Sequence, residues 1–311
     1  MTVSAGEHPT LLHPTDYGPE GRVAFAHAVR LGLSGHFAIE LLNIPTEDLG
    51  PPHSGVRAVI DLLARWKMLP AGGASAESLE RSLGLSVVAF EVPAHDVRAG
   101  VIDYLDNHRC DLVVIGTRQH RGLSRWLERS LAGRTVRRGQ TLALVMRENV
   151  RGFVDLNSGA MRLHRILVAL DDRVDLGPAL HRIDDFVQTL DSPVELRLLH
   201  VGPPGAKLRL PPGPMEREIL YRDGPVAQTI LETARRESAE MIAMPTAKKS
   251  GVIAALRGSV TAEILDDGRW PVLSVPVGDP AQRRGGLADL VFDRKIAALS
   301  SPPKTKIAAI E

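Results

Sequence analysis

Hydrophobic residues along this chain come in short, nearly unbroken runs separated by longer amphipathic stretches. TLLHPTD at 10–16, FAIELLNI at 37–44, LSVVAFEV at 85–92, DLVVIG at 111–116 and TLALVM at 141–146 have the length and apolar content of buried strands. ILVAL at 166–170, VELRLLHV at 194–201, EILYRD at 218–223, MIAMP at 241–245 and PVLSVPV at 271–277 have the same character. Between them, VAFAHAVRLG at 23–32 and VAQTILETARR at 226–236 repeat their apolar side chains with helical spacing. Near-continuous apolar strands that alternate with helices predict parallel sheets covered on both faces.

The pattern occurs twice. TLLHPTD is answered by RILVALD at 165–171, so that Asp16 and Asp171 each close a first strand before a polar turn and a helical pattern. CDLVVIGTRQHRGLSRWLERSLAGRTV at 110–136 is answered by AEMIAMPTAKKSGVIAALRGSVTAEIL at 239–265. Both read as a buried strand, a Gly-Thr or Pro-Thr, a basic loop, and a serine opening a helix. Thr117 with Thr246, and Ser130 with Ser259, are each 129 residues apart, whereas the two aspartates are 155 apart. The first copy therefore carries about 26 more residues, which fit a helical insertion at 46–85 containing VRAVIDLLARWKML. The second copy has instead a Pro/Gly-rich loop at 203–214. The expected organisation is a first α/β domain at 1–150, a second at 163–278, and a tail at 279–311 in which LADLVFDRKIAAL can form a short amphipathic helix. Each domain is expected to be an open doubly wound parallel sheet, whose ligands bind outside the carboxyl ends of the strands at the switch point.

These landmarks resemble the universal stress protein family in its tandem form, over most of the chain. The family's domain begins with a strand ending in Asp and carries a late signature of Gly, two residues, Gly, nine residues, then Gly with Ser or Thr. The resemblance implies a Rossmann-like fold, with the early Asp holding adenine and the signature wrapping ribose and phosphates. By position the second copy offers Asp171, Pro245, Thr246, Lys248, Gly258 and Ser259. The first offers Asp16, Gly116, Gln119, Arg129 and Ser130. Neither signature is complete, and Gln119, Arg129 and Lys248 fill space where the family's glycines admit a backbone. The resemblance makes ATP or AMP in the second half the candidate ligand of a degenerate site, with no cofactor firmly assigned. Gly258–Ser259 can cradle phosphate at a helix start or simply cap the helix; the missing glycines weigh towards the cap. The resemblance further implies that TLALVM and PVLSVPV form the contact between the two domains.

Composition narrows the function classes. The 38 basic and 37 acidic residues leave a net charge of +1, and aromatic residues make up only 4% of the 311, so a nucleic-acid partner is not expected. The arginines at 118, 121, 125, 129, 134, 137 and 138 offer either an anion or acidic-partner surface or a solvated helix end. Cys110 is the only cysteine, which favours a reducing, cytoplasmic setting and a packed thiol. No apolar run is long enough to span a membrane, and the 11 histidines form no metal motif. GxxxxGK, GxGxxG and GxSxG are all absent, so no catalytic residue is assigned. The expectation is a non-catalytic stress-response binding and regulatory module, an intramolecular domain pair with protein partners or a second copy still open. The alternative is a nucleotide-binding protein with slow ATP hydrolase activity.

Overall fold

The computed structural model describes residues 9–277 apart from 16, 19–20, 44–54, 70–74, 92–99, 102–103, 106, 109, 118–140, 148–149, 205–207, 209, 211–217 and 247–258. Its strands are β1 (Thr10–Thr15), β2 (Ala38–Asn43), β3 (Val87–Glu91), β4 (Leu112–Thr117), β5 (Leu142–Arg147), β6 (Arg165–Leu170), β7 (Glu195–Val201), β8 (Ile219–Arg222), β9 (Met241–Thr246) and β10 (Val272–Pro276). All ten coincide, within a residue or two, with the apolar runs of the sequence. The named helices are α1 (Arg22–Gly35), α2 (Gly55–Arg65), α3 (Ala76–Leu83), α4 (Leu176–Gln188), α5 (Val226–Arg236) and α6 (Ser259–Asp267). α3 falls inside the helical insertion expected at 46–85, with Leu79 buried and Leu83 packed against the core one turn on. Its boundaries come from its caps: Ser75 and Ser78 form a reciprocal capping box, and Gly84 stops the helix at φ 63°.

The strands form one sheet in the order β3-β2-β1-β4-β5-β10-β9-β6-β7-β8. Each half has the strand order of an open doubly wound sheet, and all pairings within a half are parallel. The halves meet where β5 and β10 run antiparallel, with Val145 opposite Val272 and Ala143 opposite Ser274. That pairing removes two edge strands that would otherwise present open backbone groups. It also turns the halves around, so the carboxyl edge of the second sheet lies on the same side as the amino edge of the first.

Alternation along the strands sends side chains into two apolar layers. Leu11, Ile39, Leu41, Ile166 and Val168 face α1, α2 and α4 on one side. Leu12, Leu42, Val113, Leu167 and Leu199 face α5, α6 and the helical turns around Tyr104 on the other. Both layers run across the junction, so the burial that stabilises one half is continuous with that of the other. Among the described residues, no helix is long and apolar enough to cross a membrane.

The segment between the halves is itself part of the core. Val150, Phe153, Val154 and Leu163 are buried, and an antiparallel bridge joins Val154 to Met161. The turn is tied by the Asp155 carboxylate, which accepts from the N–H groups of Asn157 and Ser158 and pairs with Arg162 at 2.9 Å. It docks on α1 through His27, which is fully buried. His27 Nδ1 lies 2.7 Å from the Val23 carbonyl, so it must carry the proton. Nε2 is then a bare acceptor, taking the N–H groups of Phe153 at 2.9 Å and Val154 at 3.1 Å. Gly152, at φ 65°, leaves room for the ring: a Cβ there would meet His27 Cε1 at 2.3 Å. From beyond α2, Trp66 donates its indole N–H to the Leu156 carbonyl at 3.1 Å.

Candidate functional site

In each half the two strands at the switch point pair along their amino-terminal parts and then stop. β6 is in register with β9 only at Ile166–Val168 against Met241–Ala243, and β1 with β4 only at Leu11 and Leu12 against Leu112 and Val113. The rest of each pair is left to flank a crevice at the switch point, the usual ligand position of such sheets. In the second half this brings Asp171, just beyond β6, and Thr246, the last residue of β9, to the same edge.

Asp171 is half-buried and its carboxylate is taken up by Arg173. The guanidinium Nε donates to one oxygen at 2.8 Å and a terminal nitrogen to the other at 2.7 Å. The Arg173 backbone N–H adds a third bond at 3.0 Å. These bonds hold the Asp171 carboxyl below its ordinary range against the opposing effect of partial burial. Beyond Asp171 the chain turns, with Asp175 capping α4 by accepting the Gly177 N–H at 3.1 Å. The Thr246 hydroxyl donates to the Val275 carbonyl at 3.3 Å, which ties the end of β9 to β10. On β7 the ring of His200, only 4% exposed, has Nδ1 at 3.3 Å from the Leu170 carbonyl. The ring meets Tyr221 of β8 edge to face at 5.9 Å. A side chain at Gly202 would strike the same ring, its Cβ falling 2.8 Å from Nε2.

The first half is built differently at the same edge. His13 is buried and its Nδ1 lies 2.8 Å from the Val114 carbonyl, so the imidazole sutures β1 to β4 where their backbone pairing has stopped. The position of His13 is occupied in the second repeat by Val168. Gly116, next to last in β4, lies beneath α1, where a Cβ would meet the Ala24 Cβ at 3.1 Å, so the missing side chain is used by the helix's approach. Cys110 donates its thiol to the Leu112 carbonyl at 3.0 Å, and burial pushes its pKa up.

Of the other residues expected at these edges, Asp16, Ser130, Lys248 and Gly258 lie outside the described residues, as do the arginines of 118–138 and the tail from 279. α6 starts at Ser259, the helix start read from the sequence, while the Ser259 side chain is outside the description. Among the described residues, no group of histidine, cysteine, aspartate or glutamate side chains could hold a metal ion.

Comparison with known proteins agrees with this architecture. The model of the universal stress protein family matches residues 9–147 and again 206–276, together well over half of the chain. The chain belongs to the universal stress protein family. A universal stress protein from Archaeoglobus fulgidus DSM 4304 is 18% identical with a TM-score of 0.52, covering 87% of this chain and 97% of its own. A functionally unknown protein from Pseudomonas aeruginosa PAO1 is 15% identical with a TM-score of 0.54, covering 94% of this chain and 98% of its own. At such identities the likeness is one of fold. No curated protein matches the sequence.

Three residues of this universal stress protein's second half escaped the reading of its sequence. Arg173 had a local signal, since an arginine two residues after an aspartate can fold back on it. His200 had only its place at the end of a predicted strand. Arg182 had none: on α4 it is partly buried, donates to the Pro276 carbonyl at 3.3 Å, and feels the charges of Asp111 and Asp185. Burial lowers its pKa to about 10, and the two acids partly restore it. Asp111 precedes β4 of the first half, where its side chain also accepts the Thr10 N–H at 2.8 Å.

Proposed function

We propose that this universal stress protein is a non-catalytic stress-response binding and regulatory module acting in the cytoplasm. A ligand at the carboxyl edge of its second half would shift the interface between the halves. ATP or AMP is the candidate ligand, supplied by the family resemblance of Asp171, Thr246, Lys248, Gly258 and Ser259. The observation that carries this reading is a single helix. α4 begins five residues after Asp171, directly after its cap Asp175, and carries Arg182 within electrostatic reach of Asp111 in the first half. Just past its end, Asp191 pairs with Arg30 of α1 at 3.3 Å. A ligand that draws on Asp171 acts on the turn that starts α4, and a shift of α4 disturbs both the Arg182–Asp111 charge interaction and the Asp191–Arg30 pair. Helices packed in continuous cores move as units, so a small displacement at one end is transmitted to the other. Arg182 is a sensitive reporter because a buried charge is costly once its partners move away.

The test joins binding to transmission. Small molecules released from freshly purified protein are identified by mass spectrometry. ATP and AMP are then titrated into wild type, Asp171→Ala and Ser259→Ala while hydrogen exchange is followed in β4 and β5. The module reading expects binding that weakens in both variants, altered exchange in the first half, and no phosphate release. Phosphate release abolished by Asp171→Ala would replace it with the slow ATP hydrolase. No nucleotide and no binding would move the search to protein partners.

A further inference from the structure

Arg173 occupies Asp171 as a ligand would. Three N–H groups of this one residue, two from the guanidinium at 2.8 and 2.7 Å and one from the backbone at 3.0 Å, fill the carboxylate. The Arg173 side chain is 83% exposed, and among the described residues its hydrogen bonds go to this one carboxylate, with the Asp172 charge nearby. Beside it, His200 must keep its proton on Nδ1 to donate to the Leu170 carbonyl. The edge thus offers the Asp171 carboxylate to a ligand's donors, and it is already engaged.

A ligand donor can reach Asp171 only by displacing the guanidinium. The displaced group keeps its charge at any physiological pH and does best with another anion in reach. A neutral nucleoside brings none, so its binding must bear the loss of the ion pair. A nucleotide brings phosphate oxygens, which match the guanidinium fork as well as the carboxylate does.

We propose that Arg173 makes the second-half site selective for phosphorylated over unphosphorylated ligands by exchanging partners, from Asp171 when the site is empty to the ligand's phosphate when it is filled. This rests on the nucleotide reading above and adds to it a residue outside the family signature. Arg173 lies on the surface turn between β6 and α4, so its replacement leaves the core intact.

Calorimetric titration of wild type, Arg173→Gln and Arg173→Lys with adenosine and AMP tests the exchange. Wild type is expected to bind AMP at least about tenfold more tightly than adenosine. In Arg173→Gln, adenosine affinity should rise roughly two- to fivefold, as an exposed ion pair no longer competes, and AMP affinity should fall several-fold. The gap between the ligands therefore narrows from both sides. Arg173→Lys should fall between, keeping the charge but losing the fork. An unchanged gap in Arg173→Gln, with AMP still bound, overturns the exchange and leaves the nucleotide reading standing. Binding of neither ligand to any of the three proteins overturns both.

Discussion

Acidification should loosen the link between the halves through one histidine. In the folded chain His27 is fully buried, and its Nε2 accepts two backbone N–H groups, which a protonated ring cannot do. Burial lowers its pKa from 6.5 to about 4, with the bond to the Val23 carbonyl opposing the shift. The folded value lies below the unfolded one, so the unfolded chain takes up the proton first as pH falls. The stability held by the neutral ring is whole above pH 6.5 and is lost progressively down to about pH 4. At 1.36 kcal/mol per pKa unit, the loss between pH 7 and pH 4.5 is about 2 kcal/mol. That is a considerable share of the roughly 5–15 kcal/mol that keeps a domain folded. Urea unfolding at half-unit steps of pH measures it, with His27→Gln as reference because other groups also titrate in this window. The variant should be less stable at pH 7 by about 1–3 kcal/mol, because a shorter, flexible amide does not hold an acceptor where the two buried N–H groups converge. The two stability curves should then converge by about 2 kcal/mol towards pH 4.5. Parallel curves across the window would refute the assignment of His27 as a neutral double acceptor.

Other outcomes follow from the same geometry. Arg182→Met should leave nucleotide affinity in the second half within about twofold while abolishing the exchange response of β4 and β5, because the cross-domain contact rather than the pocket has been removed; an undiminished response would show that α4 does not transmit. Gly116→Val puts methyl groups where a Cβ alone would already sit 3.1 Å from Ala24, and should cost about 1–3 kcal/mol in urea unfolding. Trp66→Phe deprives the Leu156 carbonyl of its donor and should lower stability by about 1 kcal/mol, with earlier proteolysis between residues 150 and 163. Cys110 should resist a thiol-disulfide reagent at pH 8 until urea unfolds the chain, since burial raises the thiol's pKa; prompt reaction of the native protein would contradict its packing.

Much of the fold follows from local pattern. Strands buried on both faces need unbroken apolar runs, and the ten runs are the ten strands. The duplication of those runs implied two α/β halves, and the aspartate that closes each first strand marked the edge where ligands bind in such sheets. α3 lies inside the helical insertion expected at 46–85, but its apolar stripe is only Leu79 and Leu83, one turn apart, so its bounds are set by its caps.

What only the tertiary structure decided are pairings between residues that the chain keeps far apart. Nothing about His27 indicates an acceptor until the segment at 153–154 arrives 126 residues later with two N–H groups to satisfy. Arg182 comes within reach of the Asp111 charge only because β5 and β10 run antiparallel and turn the two halves around. The two edges, equivalent in the repeat, diverge for the same kind of reason: His13 reaches a carbonyl across the first crevice, whereas Val168 at the matching place has no polar atom to do so. Apolar periodicity reports which face of an element is buried, since that depends on near neighbours in sequence. Which polar group meets which depends on how whole elements are set against one another, and hydrogen bonds and charges are specific to a few tenths of an ångström.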